Sequence, residues 1–423
     1  MLKASKKDSH YYRLDLKKKN EVLTGFFVVE RTVSKMLNAK TGISTIADSA
    51  KAGKEASNQI KKNMKTPKVA FVYSGVQYDQ NILLDAIGKE LPGVPLIGNT
   101  SFTGVITPEG FASGENGFVG IMAMDDDDMT VGVAGIANNG NPRAMGVSVA
   151  KEAMKKAGKT NPPNYFYMAA NPAEEECCLK GIEDIIGRVP FFGGSAADNT
   201  ITGEWSVFTD EFVASEGLAV AFFWSEKPFA NKYTGAYNET KNMGIITKLD
   251  GPRTLVEIDG VPAADKYMEW RGCNREAVTG GNLLNTCITG PLGIKDPLGD
   301  LIAIRHPMNG NDDGSFNVGN NMAVGTAIIQ MEGSIDHLIE SVGKTIDELK
   351  ERIGGEIGAL HLVHCGGRRA GIDERIEEVT EQIKEHVDNV PFITEFTFGE
   401  YGSENHSANT CGGLMLSFTA FGK

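Results

Sequence analysis

Hydrophobic residues follow the same order in three separate stretches of the chain. Each stretch has an apolar strand, a polar turn, an amphipathic helix, a Val-Pro pair, a second apolar strand and, later, a third strand. The first strands are Lys68–Ser74, Asn164–Ala169 and Ala359–His364, and the Val-Pro pairs stand at 94–95, 189–190 and 390–391. This recurrence predicts three copies of one supersecondary unit.

The pattern changes near residue 238. Residues 245–258 are typical of a hairpin, residues 272–320 are rich in Gly and Asn, and Ile335 to Ile353 have the spacing of a long amphipathic helix. A chain of 423 residues also favours two domains. We therefore predict an α/β protein, α+β in parts, with two domains built from repeated strand-helix-strand-strand units.

The predicted divisions are an N-terminal extension at 1–40, a first domain at 41–237 and a second at 238–423. The extension fits either an edge strand with a short helix or a partly ordered arm. Four consecutive carboxylates at 125–128 fit a solvated hairpin turn or, less well, a cation site.

Composition excludes several classes of function. A net charge of −13 argues against nucleic-acid binding. Six cysteines without zinc-like pairing favour a reducing compartment. The apolar runs are shorter than the roughly 20 residues of a membrane helix, and residues 22–29 have acidic neighbours, unlike a signal peptide. We expect a cytoplasmic protein with no membrane insertion.

The repeated units predict where a ligand binds. Sites in β-α units lie outside the C-terminal ends of the strands, where loops present side chains and helices present free N–H groups. These ends are Ser74, Asn171 and the turn Cys365-Gly366-Gly367-Arg368. Ser195 and Glu400, in turns of small residues, are expected to flank them.

Individual side chains suggest roles at this site. Arg368 could clamp a ligand carboxylate, or it could pair with a surface carboxylate. Glu400 could hold a ligand ammonium or simply belong to its turn, and Asn409 and Thr410 could bind a ligand or cap their loop. The predicted ligand-binding residues are Ser74, Asn171, Ser195, Cys365, Arg368, Glu400, Asn409 and Thr410.

Cys365 also raises the question of nucleophilic catalysis, which needs a nearby base and a lowered thiol pKa. His364 is adjacent in a strand and points to the opposite face, while His361 shares the face of Cys365 but lies roughly 13 Å away. His406 would have to fold in to serve as the base. We therefore predict that Cys365 is a wall of the pocket, that the chain has no catalytic residue, and that these side chains hold no metal.

The chain resembles the FIST proteins, bacterial and archaeal sensory proteins built from an N-terminal and a C-terminal FIST domain. The resemblance covers about residue 41 to the end. It rests on the order and spacing of several segments, which are Ile43–Thr45, Val69–Ser74, Leu91–Thr100 with Gly104, Val256–Ala263, His364–Arg368, Gly399-Glu400 and Asn409-Thr410.

The resemblance implies an intracellular sensor of a small ligand that acts in signal transduction, the ligand being an amino acid or a similar small carboxylate. Because the sequence has no convincing acid–base or metal constellation, we expect no enzyme activity and no cofactor, although haem-based nitric oxide sensing is known for some family members. Two alternatives stay open, a haem-binding nitric oxide sensor and a cysteine-dependent enzyme. The family's His-Asn-x-Thr ending is replaced here by Ala408-Asn409-Thr410 with His406 displaced, so His406 is a weak candidate haem ligand.

The resemblance also suggests a partner. No kinase, cyclase or chemoreceptor output is recognisable in the sequence. We therefore expect the sensor to act on a separate signalling protein, such as a histidine kinase or a chemoreceptor.

Overall fold

A computed structural model describes the backbone of residues 12–18 and 21–27, and residues 36–64, 66–296, 299–404 and 406–423. The chain divides into two compact units, residues 1–36 and 37–423. In the first unit, β1 (Tyr12–Lys18) and β2 (Glu21–Phe27) pair antiparallel. The rest of the predicted extension up to residue 35 lies outside the described residues.

The second unit contains three repeats with one order of elements, in which a strand and a helix precede a strand-helix-strand motif, a hairpin and a last strand. The first repeat consists of β3 (Asn38–Ser44), α1 (Ser49–Lys61), β4 (Val69–Ser74), α2 (Gln80–Glu90), β5 (Leu96–Thr100), β6 (Val105–Thr107), β7 (Gly110–Ala112) and β8 (Val119–Asp125). The second consists of β9 (Thr130–Ala137), α3 (Pro142–Ala157), β10 (Tyr165–Ala170), α4 (Glu175–Ile186), β11 (Phe191–Ser195), β12 (Val207–Thr209), β13 (Phe212–Ala214) and β14 (Gly217–Trp224).

The third repeat begins with β15 (Phe229–Thr234) and is then interrupted by an inserted sheet. The insertion consists of β16 (Asn238–Asp250), β17 (Thr254–Ile258), β18 (Val261–Pro262), α5 (Ala263–Arg271), α6 (Asn282–Cys287), β19 (Leu292–Lys295), β20 (Ile302–Arg305), β21 (Pro307–Gly310), β22 (Phe316–Val318) and β23 (Ala327–Glu332). The repeat resumes with α7 (Ile335–Ile353), β24 (Ile357–Cys365), α8 (Gly366–Ile372), α9 (Ile376–His386), β25 (Phe392–Thr397), β26 (Glu400–Gly402), β27 (Thr410–Gly412) and β28 (Leu416–Gly422).

The sheet pairings confirm the predicted repetition. β4 runs parallel to β5 and antiparallel to β8, β10 has the same relation to β11 and β14, and β24 to β25 and β28. The α/β class predicted from the sequence is therefore correct. Asn238, the predicted start of the second domain, is the first residue of the insertion, while the third repeat already begins at β15; the division into two domains stays a prediction.

The repeats exchange their hairpins, which the sequence did not predict. The β12–β13 hairpin extends the sheet of the first repeat, β26–β27 extends that of the second, and β6–β7 extends that of the third. Each repeat thus completes the sheet of another. The exchange joins the three sheets into one closed set.

The acidic run at 125–128 connects two of these sheets. β8 pairs with β3 and β4, whereas β9 pairs with β14, so the run does not close a hairpin. Asp126 is buried and forms an ion pair of 3.1 Å with Lys227. The expectation of a hairpin is therefore wrong, although Asp127 and Asp128 are exposed in a turn, because the pairing of β8 and β9 with different sheets was not visible in the local sequence.

Side chains alternate along the central strands and divide the protein into an inner and an outer core. Phe71 and Tyr73 of β4 and Tyr167 of β10 point into a core shared by the three sheets. Ala70 and Val72, between them, pack under α1 and α2. Strands covered on both faces explain why the sequence shows near-continuous apolar runs here instead of a two-residue alternation.

Candidate functional site

A cavity of about 230 Å³ lies at the C-terminal ends of β10 and β24, between the repeats and the insertion. Its walls are mainly apolar, and it is named the strand-end pocket. The residues that line it are Phe102, Pro172, Ala173, Glu175, Ile201, Trp205, Arg253, Leu284, Asn285, Ile288, His306, Met308, Gly319, Cys365, Gly366, Gly367, Ala370 and Phe398.

Glu175 supplies a buried carboxyl group to the strand-end pocket. It opens α4, directly after the end of β10, where a negative charge is stabilised by the helix dipole. Only 2% of the residue is exposed. Its Oε1 lies 3.3 Å from the Arg253 guanidinium and 3.4 Å from Asn320 Nδ2. Its Oε2 is buried and has no hydrogen-bond partner among the described residues.

Arg253 is shared between two carboxylates. Its guanidinium contacts Glu175 and Glu176, and its Nε donates to Asn321 Oδ1 at 3.0 Å. Burial and the Glu176 charge together raise the pKa of Glu175 to about 7, with Arg253 acting in the opposite direction. Glu175 is therefore ionised for a substantial fraction of the time near neutral pH.

His306 is the second polar group with unused hydrogen-bonding capacity. It lines the strand-end pocket with 7% of its surface exposed, and neither ring nitrogen has a partner within the described part of the chain. Burial lowers the pKa of His306 to about 4. The ring is therefore neutral at pH 7 and can offer one donor and one acceptor.

Three half-buried aromatic rings stand around the strand-end pocket. Phe398 follows β25, with its ring centroid 5.6 Å from that of Phe102 and 6.1 Å from that of Trp205. Two other lining residues, Ala173 (φ 101°) and Ile201 (φ 58°), have positive φ although neither is a glycine. Such backbone strain is often found where a ligand is held.

Cys365 lines the strand-end pocket, as the sequence predicted. Its Sγ accepts hydrogen bonds of 3.2 Å from the backbone N–H groups of Gly367 and Leu414. Burial, reinforced by Glu400, raises the pKa of the Cys365 thiol well above its ordinary value. A raised pKa disfavours the thiolate that a nucleophile needs.

Arg368 does not line the strand-end pocket. It is fully buried and donates to the carbonyls of Gly235 and Leu338 at 2.8 and 3.0 Å and to Ser341 Oγ at 2.7 Å. Its guanidinium also lies 5.9 Å from the Tyr237 ring centroid. This placement differs from both expectations, because Arg368 faces neither the cavity nor a surface carboxylate.

Glu400 is also enclosed by protein. Its Oε1 accepts from Thr397 Oγ1 and its Oε2 from the Met415 N–H, both at 2.9 Å. Burial raises the pKa of Glu400 to about 8. It does not line the strand-end pocket, so the structure does not bring it to the position expected of a group that holds a ligand ammonium.

The other predicted residues make structural hydrogen bonds. Ser74 donates to Gln80, and Asn171 accepts from the Gly217 N–H. Ser195 hydrogen-bonds to the Tyr401 hydroxyl, and Asn409 donates to Glu183 and to the Val189 carbonyl. The Thr410 hydroxyl lies 3.4 Å from the Cys411 carbonyl. None of the five lines the strand-end pocket. The strand-end pocket therefore borders two of the three predicted strand ends, where Pro172 and Cys365 lie, and not the end of β4 at Ser74.

His406 lies elsewhere. It borders an open cleft of about 470 Å³ beside Arg352 and Glu404. Within the described residues, no group of three or more His, Cys, Asp or Glu side chains is arranged to hold a metal ion.

A separate cluster of buried polar side chains lies in the inner core and is named the axial cluster. It consists of Tyr73, Asn99, Tyr167, His361 and Glu395. Asn99 donates to Glu395 Oε2 at 2.9 Å, and the Tyr167 hydroxyl lies 2.8 Å from Asn99 Oδ1 and 3.3 Å from Glu395 Oε1. Tyr73 and His361 hydrogen-bond to each other. Burial raises the pKa of Glu395 to about 8 and lowers that of His361 to about 3, so both are largely neutral at pH 7.

Sequence reasoning missed the polar residues of the strand-end pocket. Glu175 was detectable in principle, since it follows the β10 end that the repeat pattern marks. Arg253 and His306 come from the insertion, and no local signal in the sequence links them to the strand ends.

The architecture and the site define a mixed α/β protein with a small-molecule-sized pocket at its strand ends. Residues 68–261 match the FIST N domain model, and residues 263–403 match the FIST C domain model. The chain therefore belongs to the FIST family, which is a family of sensory domains. Among the described residues, no helix combines the length and apolar character needed to cross a membrane.

Comparison with known proteins adds distant structural similarities only. No curated protein matches the sequence. A cyanuric acid hydrolase from A. caulinodans is 9% identical, with 92% of this chain and 100% of that chain covered and a TM-score of 0.35. Another cyanuric acid hydrolase is 12% identical over 48% of this chain and 72% of its own, with a TM-score of 0.28.

A third solved structure, phosphoribosylformylglycinamidine synthase II from Thermotoga maritima, is 10% identical, with 91% and 72% of the two chains covered and a TM-score of 0.21. Similarities at these TM-scores carry no argument about function.

Proposed function

We propose that this chain is an intracellular sensor that binds an amino acid or a similar small carboxylate in the strand-end pocket and passes the signal to a separate protein. One observation carries the proposal: a mainly apolar cavity contains two buried polar side chains, Glu175 and His306, with unused hydrogen-bonding atoms. Buried polar groups are normally paired, so these atoms are suited to a bound ligand.

The size and chemistry of the cavity support a small ligand. A volume of about 230 Å³ is below the usual range of drug-sized sites. The apolar walls suit a small side chain. In place of Arg368, Arg253 is the guanidinium that lines the cavity and could meet a ligand carboxylate.

A sensing role is favoured over catalysis by the state of Cys365. Burial raises the pKa of its thiol, and this effect outweighs the opposite effect of the two backbone N–H groups that donate to Sγ. A cysteine-dependent enzyme would need the opposite electrostatic setting. The proposal therefore assigns no catalytic residue.

Calorimetric titration with the standard amino acids tests the proposal. Met308→Trp should abolish binding by filling the cavity, since Met308 lines it and is 40% exposed. Met243→Trp is the matched control, because Met243 is an exposed methionine of the same insertion and does not line the cavity. Absence of binding to any amino acid, or equal loss in both variants, would contradict the proposal.

An absorption spectrum of the purified protein tests the haem alternative. The proposal predicts no Soret band. A Soret band that disappears in His406→Ala would instead favour the haem-based sensor.

A further inference from the structure

We propose that the strand-end pocket selects its ligand by a cationic amine, which binds Glu175 Oε2 and is surrounded by the rings of Phe102, Trp205 and Phe398. The inference rests on the proposed function and specifies which part of the ligand is recognised. It follows from three features of the pocket: one unpaired carboxylate oxygen, the local balance of charge, and the aromatic rings.

The carboxylate is the first feature. Glu175, Glu395 and Glu400 are all buried, and both Glu395 and Glu400 use their two oxygens within the protein. Glu175 uses only Oε1, and Oε2 has no partner among the described residues. A carboxylate oxygen accepts hydrogen bonds and cannot donate them when ionised, so its complement is a donor, and a cationic donor binds most strongly.

The charge around Glu175 gives the same result. Arg253 is the cation that pairs with Glu175, and it also pairs with Glu176. Arg305, which is nearby, donates to the carbonyls of Asn321, Ile304 and Cys411 instead of to a carboxylate. No cationic donor among the described residues therefore reaches Glu175 Oε2, and a ligand cation would take that place.

The aromatic rings supply a third, independent reason. Phe102, Trp205 and Phe398 all line the cavity, and the ring centroid of Phe398 lies 5.6 Å from that of Phe102 and 6.1 Å from that of Trp205. The faces of aromatic rings attract ammonium groups, and desolvation strengthens the attraction. A free carboxylate on the ligand would gain nothing from these rings.

A matched set of probes tests the inference at pH 8. Leucine is compared by calorimetry with isoamylamine, which lacks the carboxylate, with isocaproate, which lacks the amine, and with the neutral isoamyl alcohol. The same series built on phenylalanine, with phenethylamine, hydrocinnamate and phenethyl alcohol, covers a larger apolar body. We expect the amines to bind at least about 10-fold more tightly than the matching acids and alcohols, as a charge-assisted hydrogen bond implies.

The variant pair is Glu175→Gln and Glu183→Gln. Glu183 lies on the same helix, but it accepts a hydrogen bond from Asn409 and does not line the cavity. Glu175→Gln should weaken amine binding at least about 10-fold, and Glu183→Gln should leave it unchanged. Thermal unfolding of both variants checks that they are folded, and the probe series on the native protein does not depend on either.

The outcomes separate this inference from the proposed function. If an acid or alcohol binds as tightly as its amine, or if amino acids bind and the amines do not, selection by the amine is overturned while the sensor proposal stands. If no amino acid, amine, acid or alcohol binds, both are overturned.

Discussion

The axial cluster and the strand-end pocket both bury polar side chains, but they use their hydrogen-bonding capacity differently. In the axial cluster, each oxygen of Glu395 has a hydrogen-bonding neighbour, Asn99 Nδ2 at 2.9 Å and the Tyr167 hydroxyl at 3.3 Å. In the strand-end pocket, one oxygen of Glu175 and both nitrogens of His306 have no partner among the described residues. Burial raises the pKa of both carboxyl groups, to about 8 and about 7.

The difference indicates that the polar side chains of the axial cluster stabilise the fold, whereas those of the strand-end pocket are available to bind a ligand. Leaving a buried donor or acceptor unpaired costs about 1–3 kcal/mol. The axial cluster avoids most of this cost by internal pairing, although His361 Nδ1 has no partner among the described residues. The strand-end pocket bears the cost until a ligand supplies the missing partner, which is the usual setting of a binding site.

Replacing Glu395 should have the largest effect. Glu395→Ala removes a buried acceptor of the Asn99 amide and the Tyr167 hydroxyl and opens a cavity in the inner core. We expect a loss of about 3 kcal/mol or more in the free energy of unfolding. Denaturant unfolding measures it, with Glu175→Gln as the comparison, which should cost less because glutamine keeps an oxygen for Asn320, Arg253 keeps its ion pair with Glu176, and Oε2 makes no bond to lose. Equal losses would remove the distinction between the two regions.

Replacing Arg368 should have the next largest effect, on stability instead of binding. Arg368→Ala removes three buried hydrogen bonds, to the Gly235 and Leu338 carbonyls and to Ser341 Oγ, so we expect a loss of about 2–3 kcal/mol in the free energy of unfolding. Ligand affinity, measured below the unfolding temperature, should change by less than about 10-fold. A fully stable variant that no longer binds ligand would restore the clamp predicted from the sequence.

The buried carboxyl groups of Glu395 and Glu400 should make the free energy of unfolding depend on pH. The pKa values of Glu395 and Glu400 are about 8 in the folded protein and about 4.3 when unfolded. The folded state therefore holds more protons between these values, and stability falls as pH rises through this window. The lowered pKa values of His306, His361 and His364, about 4, 3 and 3, have the opposite effect below about pH 6.5.

The carboxyl contribution should dominate the pH dependence of stability between about pH 6.5 and 8, where the histidines no longer titrate. We expect the free energy of unfolding to fall there by up to about 1.4 kcal/mol per pH unit for each carboxyl group. Glu395→Gln should flatten the curve, because its side chain no longer titrates. A stability that rises over this range in the native protein would contradict the neutral state assigned to Glu395.

The smallest effect is expected at Cys365. Cys365→Ser keeps an acceptor for the Gly367 and Leu414 N–H groups, so stability should change by about 1 kcal/mol or less. The native thiol should alkylate more slowly at neutral pH than the partly exposed Cys273, since burial raises its pKa. Rapid labelling of Cys365 with an apparent pKa below the free-thiol value of about 8.5 would favour the enzyme alternative.

Local sequence patterns predicted the repeated elements but only part of the site. The Val-Pro pairs and apolar strands located β4, β10 and β24 and their helices because these signals are confined to short segments. The hairpin exchange depends on pairing between segments far apart in the chain, which periodicity does not encode. The same limit applies to Arg253 and His306, which the insertion brings to the strand ends.

The sequence also did not show which polar side chains would be buried. Arg368 and Glu400 follow turns that favour exposure, and both were expected to face a ligand. In the structure α7 supplies Leu338 and Ser341 to Arg368, and the turn before β28 supplies Met415 to Glu400. Residue type identified groups able to bind a ligand, but the packing of the third repeat had already paired them.

A crystal structure of the protein with the tightest-binding amine of the probe series tests the central claim most directly. We predict ligand density in the strand-end pocket, with its nitrogen about 2.7–3.2 Å from Glu175 Oε2 and enclosed by the rings of Phe102, Trp205 and Phe398. Density in the cleft beside Arg352 and His406, or in the strand-end pocket with the nitrogen directed away from Glu175, would contradict it.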